Sequence, residues 1–175
     1  MNKSEIQKFL ILNYSSLVHR VRELGDGPAM QSVGEKWTPA QQLDHLVRSV
    51  RPVALAFSLP KFVLSLIFGT ANRPSRSYDG LIEKYHSKLA GGGKASHPFI
   101  PGEPGNVTRL GDRMDHLINK LTSRIDHFSE KELDQYILPH PLLGKLTLRE
   151  MLYFTAYHAQ HHERQIESNT KSVIA

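Results

Sequence analysis

Four times along the chain a serine or threonine stands three residues ahead of a glutamine or glutamate and next to an apolar stripe: Ser4 with Gln7, Thr38 with Gln41, Ser129 with Glu132, and Thr147 with Glu150. In such a pair the hydroxyl accepts from an early helix N–H, and the longer side chain reaches back to the cap residue's own N–H. Four helix starts of this kind predict an α-rich fold. From Ser4 to about Leu24, residues Ile6, Phe9, Leu10, Leu17, Val21 and Leu24 recur at helical spacing, and Gly25 supplies a stop. A second helix runs from Pro39 towards Leu59 with Leu43, Leu46, Val47, Val50 and Ala54 on its apolar side, and Pro52 is expected to kink or split it. A third follows Asn106, where Val107, Leu110, Met114, Ile118, Leu121 and Ile125 fall on one stripe, and the last runs from Thr147 to about Ser168.

The connections are long. Tyr78 to Leu89 reads as a further helix, Gly91 to Gly93 break the chain, and HPFIPGEPG (His97 to Gly105) forms a proline- and glycine-rich loop suited to a lid or pocket wall. The segment YILPHPLLGKL (Tyr136 to Leu146) is extended or looped because Pro139 and Pro141 exclude a helix, and nothing in it marks a strand. The expectation is an all-α, four-helix bundle with long connecting loops and extra short helices, formed by residues 1–175 as a single domain.

Composition narrows the chemistry. With no cysteine among 175 residues, disulfides, thiolate nucleophiles and cysteine-held metals are excluded, so any ion must take nitrogen or oxygen ligands. The net charge of +5 comes from basic residues interspersed with acids rather than from a basic run, which argues against nucleic acid as a partner. The first residues lack the order of a secretory signal, so the chain reads as cytoplasmic. Val53 to Phe68, the longest apolar stretch, is interrupted by Ser58, Pro60, Lys61 and Ser65 and is too short to span a bilayer. Two short helices are expected there, with a membrane-surface patch as the less favoured reading.

The conspicuous excess is histidine, with 10 residues. In HAQHHERQI, His158 and His162 stand four apart, one turn apart on one helix face. At roughly 100° per residue, an apolar face marked by Leu148, Leu152, Thr155, Ala159 and Ile166 places His162 about 30° from its centre, His158 about 70° and His161 about 130°. His161, Tyr157 and Arg164 are therefore expected to face outward. Two histidines do not complete a site. His45, at the border of the Leu46/Val50 stripe, is the best third ligand, although such a residue also suits a hydrogen-bonded place at the core edge. Asp44 and Glu163 adjoin these positions in sequence but point about 100° away and read as solvated or surface-paired. Trp37 suits a staple ahead of its helix or a substrate contact, while His97 and His140 lie on proline-flanked loops.

The strings GEKWTPAQQLDHLVRSVRP, HPLLGKLTLREM and HAQHHERQI together resemble the DinB-like (DinB/YfiT-type) superfamily, in particular its branch with a Trp-Thr/Ser-Pro opening to the second helix. The similar segments span Gly34 to Pro52 and Pro139 to Ile166. The resemblance implies a four-helix bundle holding one divalent ion through one histidine of the second helix and two of the last, in a His-x-x-x-His-x-x-Gln pattern. On this chain these are His45, His158 and His162, with Gln165 after them as a hydrogen-bonding neighbour of a ligand, a water or a loop. It further implies a homodimer and a metal-dependent enzyme; three imidazoles leave a coordination position open, and with such ligands zinc or nickel is the expected ion. There a low-molecular-weight thiol or a water would be activated for transfer to, or hydrolysis of, a small substrate. The competing expectation is a non-catalytic, metal-stabilised dimeric bundle that serves in binding or stress.

Overall fold

The structure, a computed structural model, describes the backbone of residues 1–174 and side chains as far as Asn169. The elements are α1 (Lys3–Leu24), α2 (Asp26–Ala29), α3 (Pro39–Ala56), α4 (Lys61–Phe68), α5 (Tyr78–Ala90), α6 (Val107–Ile125), α7 (Glu130–Gln135), β1 (Ile137–His140), β2 (Gly144–Thr147) and α8 (Leu148–Ile174). The long helices α1, α3, α6 and α8 make the bundle: α1 packs on α6 and α8, and α3 packs on the same two. Leu10, Leu17, Leu43, Leu46, Met114, Leu121 and Leu152 meet in its core with no residual exposure. Each such side chain stabilises the fold by roughly 1.5–3 kcal/mol. α5 lies outside this square, against α8.

Three of the four helix-start pairs close reciprocally, at Thr38/Gln41, Ser129/Glu132 and Thr147/Glu150. The fourth is displaced. α1 is capped by Asn2 and Glu5 rather than by Ser4 and Gln7, since Asn2 offers the same reciprocal bonds two residues earlier. Pro52 does not split α3, which is continuous from Pro39 to Ala56; it and Arg48, the residue whose carbonyl position 52 cannot bond, are both on the exposed side, where that carbonyl is open to solvent. The segment read as strandless forms a hairpin in which Ile137 pairs with Thr147 and Pro139 with Lys145. Pro139 is exposed and lies in a two-stranded sheet, whose strands are both edges, so its missing N–H disrupts no further pairing.

No single helix among the described residues is long and apolar enough to cross a membrane, and α3 and α4 meet that test only together, bent by 113°. α4 turns Leu64 inward and leaves Phe62 and Leu66 72% and 82% exposed.

The hairpin delivers the chain into α8 through a buried carboxylate. Glu150, fully buried, accepts from Arg73 Nη1 and Nη2 at 2.7 and 2.8 Å, from the Arg76 backbone N–H and Nη1 at 2.8 and 3.0 Å, and from the Thr147 N–H at 3.0 Å. Burial alone would raise its pKa, but the bonds from Arg73, Arg76 and Thr147 outweigh burial and hold the carboxyl below its ordinary value. Replacing Glu150 by Ala strands those donors and is expected to cost about 2–4 kcal/mol, at the lower edge of a broken buried pair because both arginines are a third exposed. A depressed carboxyl stabilises above its unfolded pKa of about 4.3 and ceases to as pH falls through its folded value. Urea unfolding at pH 7 should therefore show the full deficit, and the gap between variant and parent should close below about pH 4. A deficit under about 1 kcal/mol at pH 7 would contradict this account.

Candidate metal centre

The Thr38/Gln41 cap fixes the phase of α3 and so the direction of His45, two turns in, while His158 and His162 extend from successive turns of α8. The three rings are all buried, with centroids 5.0 Å (His45–His158) and 4.7 Å (His158–His162) apart in edge-to-face pairs and 4.9 Å (His45–His162) apart in a tilted one. His158 Nε2 stands 3.2 Å from His45 Nε2 and 3.1 Å from His162 Nε2. These three form the one group of metal-capable side chains among the described residues, and no carboxylate joins it.

The outer nitrogens settle the protonation of the inner ones. His45 Nδ1 lies 2.7 Å from the Phe99 carbonyl oxygen, which can only accept, so the ring's proton is on Nδ1 and Nε2 presents a lone pair. The Gln42 amide nitrogen donates to the Trp37 carbonyl at 3.3 Å, which turns Gln42 Oε1 towards His162 Nδ1 at 3.0 Å. His162 therefore also carries its proton outside and a lone pair inside. His158 Nε2 faces both lone pairs and holds one proton at most, so at least one close contact is unfavourable without a cation. A divalent ion satisfies all three at once. With Zn–N bonds of about 2.0–2.1 Å, a tetrahedral site has ligand edges of about 3.3–3.4 Å. The 3.1 and 3.2 Å separations reach that by a small outward shift of the rings.

Electrostatics point the same way. Burial, and then the neighbouring imidazoles, push His158 and His162 well below the usual imidazole pKa. Burial also lowers His45, partly offset by its bond to Phe99 and by Asp44. All three are thus neutral at pH 7, the form that binds a metal.

The surroundings depart from the sequence expectations in instructive ways. Tyr157 is not outward: α5 covers that flank of α8, and Tyr157 is buried with its hydroxyl bonded to His86 Nε2. Arg164, exposed, lies over the Tyr157 ring at 5.3 Å. His161 is half-buried, at the edge of Tyr85, and burial followed by Arg164 pushes its pKa down to about 4. Gln165 bonds His161 at 2.9 Å and not a triad ring. Glu163 pairs with Ser16 and Arg20, away from the rings. Trp37 stacks on His162, 13° from parallel at 6.5 Å, and tilts over His45 at 5.1 Å, so it packs on the site itself. His97 is exposed, whereas His140 is half-buried against Phe154 with its Nδ1 accepting from two backbone N–H groups. Gln42 and the Phe99 carbonyl, which orient two of the rings, are the contributors that sequence reasoning missed.

A cavity of about 1170 Å³ adjoins the triad, lined by all three rings, and the 93–100 loop forms part of its wall. That loop is fastened to α3 twice: the Phe99 carbonyl meets His45, and the Gly102 N–H reaches Asp44 Oδ2 at 3.3 Å, an oxygen that also takes Arg48 at 2.7 Å. Replacing Asp44 by Ala should release one fastening, seen as backbone amide exchange in residues 96–102 several-fold faster than in the parent with α6 unchanged. Unchanged loop exchange would show that the Asp44 contact holds nothing. Protons and metal compete for the same lone pairs. Because the rings titrate below the usual value of about 6.5, bound metal should survive dialysis at pH 6.5 and leave at lower pH. Release that begins above pH 7 would contradict the neutral-ring assignment.

No curated protein and no solved structure matches the chain significantly. The sequence model of the DinB superfamily matches residues 11–166, a span that contains His45, His158 and His162 and all four bundle helices in whole or part. A helical bundle of this connectivity with a three-histidine group fits a metal-binding protein, and the chain belongs to the DinB superfamily.

Proposed function

We propose that the chain is a metal-dependent enzyme in which His45, His158 and His162 hold one divalent ion, zinc or nickel foremost, with a fourth position open to a low-molecular-weight thiol or to water. The observation that carries this reading is the donor set: three neutral imidazoles, no fourth protein ligand among the described residues, and a cavity on the same rings. Structural sites are usually closed by four protein ligands, whereas catalytic ones leave a place for the reactant. Such an ion, when bound, lowers the pKa of a coordinated water or thiol towards neutrality.

The chain's own residues do the rest. The Phe99 carbonyl and Gln42 keep two inner nitrogens free of protons, so both rings stay ligands rather than donors. Trp37 covers one side of the rings, and the 93–100 loop forms part of the cavity wall beside them. With no cysteine in the chain, a thiol nucleophile would have to arrive as a cosubstrate, which suits a reducing, cytoplasmic setting. The electrophile would be a small molecule able to enter the cavity.

Untagged protein purified without added metal should contain about one ion per chain by elemental analysis, and His45→Ala, His158→Ala and His162→Ala should each abolish stoichiometric binding. Gln42→Ala should keep the ligands and weaken metal affinity by roughly 10–100-fold. Metal content that is absent from the parent after zinc and nickel supplementation, or unchanged in the three alanine variants, would end this reading. Loss of turnover with thiol and electrophile pairs on chelation, restored by the metal, would then identify the chemistry.

A further inference from the structure

The cavity's lining changes character along its length. Lys36 meets Asn169, Gln42 meets His162 and His45 meets His158, so partners descend α8 as the chain ascends α3 and the two helices run antiparallel past each other. Ala56 is 11 residues beyond His45, and Met151 is 11 residues before His162; both line the cavity. At 1.5 Å per residue, α3 carries the lining about 16 Å beyond His45, and α8 carries it about 10 Å beyond His158, the triad residue that faces His45, in the same direction. Over that distance the wall turns apolar. α3 contributes Val50, Val53 and Ala56, α8 contributes Phe154 and Met151, and Leu138 of the hairpin and Phe68 of α4 also line the cavity.

Several polar groups on this stretch have their partners within the protein. Ser49 Oγ donates to the His45 carbonyl at 2.8 Å, Thr155 Oγ1 to the Met151 carbonyl at 2.7 Å, and the Tyr14 hydroxyl to the Thr155 carbonyl at 3.1 Å. His140 Nδ1 is taken by the N–H groups of Leu142 and Leu143, both at 3.1 Å. Water would find few partners here, whereas apolar cavities favour apolar occupants. The volume of about 1170 Å³ also exceeds what a small polar electrophile fills, since ligand sites run at roughly 300–1,000 Å³.

We infer that the site takes an amphiphilic ligand: a metal-coordinating head at the triad and an extended apolar body, about ten carbons long, laid between α3 and α8 towards Ala56 and Met151. This rests on the proposed metal centre and adds the substrate class to it. The apolar wall gives affinity in proportion to the length buried, while the ion fixes which end enters first.

Straight-chain alkyl hydroxamic acids, from two to twelve carbons, provide the test by titration calorimetry on the zinc-loaded protein. Affinity should rise about three- to fourfold for each added methylene and level off near ten carbons. Ala56→Leu, which occupies the far end, should bring that plateau to shorter chains. If this variant fails to fold, the series on the parent protein stands alone as the test. Acetohydroxamic acid binding with no gain from longer chains would overturn this inference and leave the metal centre intact. Chains that bind equally well to the zinc-loaded parent and to His158→Ala would overturn both, because the head would then owe nothing to the ion.

Discussion

Two imidazole nitrogens that hold inward lone pairs converge at 3.1–3.2 Å on a third, His158 Nε2, which can satisfy only one of them with a proton, and the protein enforces this arrangement from outside. A backbone carbonyl holds one ring's proton on its outer nitrogen, and a glutamine whose amide is itself tied to Trp37 holds another's. The strain that this leaves is relieved by a cation, so the hydrogen bonds outside the triad define what belongs inside it. Bundle geometry serves the same end. α3 and α8 must run antiparallel at a fixed phase for three Nε2 atoms to converge, and the reciprocal caps at Thr38 and Thr147 set that phase on each helix.

Much of this was legible in the residues, and the exceptions have physical causes. The helical period placed His158 and His162 inward, and the stripe on α3 placed His45 at the border of the core, where all three now meet. Gln42 was within reach of the same reasoning: it stands three residues before His45 and so shares its face. The Phe99 carbonyl was not, because a main-chain oxygen in an aperiodic loop leaves no side-chain signal. The helical wheel misplaced Tyr157 because it assumes a single buried face. α8 packs on α1, α3 and α5, and every residue from Leu148 to Ala159 is buried. The hairpin was hidden by its prolines, which are tolerated on strands with no neighbour to pair.

The placement of the cavity also follows from the fold. A square bundle whose four long helices were joined by short turns would close on itself. Here the connection between α3 and α6 carries α4, α5 and the 93–100 loop, and these stand off the bundle to wall a space beside α8 that core packing would otherwise fill. Superfamily membership accounts for the bundle; the long connection gives this chain its particular chamber.

The knot at Glu150 acts on the histidine triad through leverage. His162 lies 12 residues further along α8, about 18 Å from that anchor at 1.5 Å per residue. A helix that pivots by about 3° at its fastened end swings a group at that distance by about 1 Å, a displacement on the scale that ruins a coordination sphere. Substitutions at Arg73 or Arg76, which bond Glu150 and no triad ring, would thus surface as a disturbed convergence of the three imidazoles, and a survey confined to the cavity's own residues would overlook them.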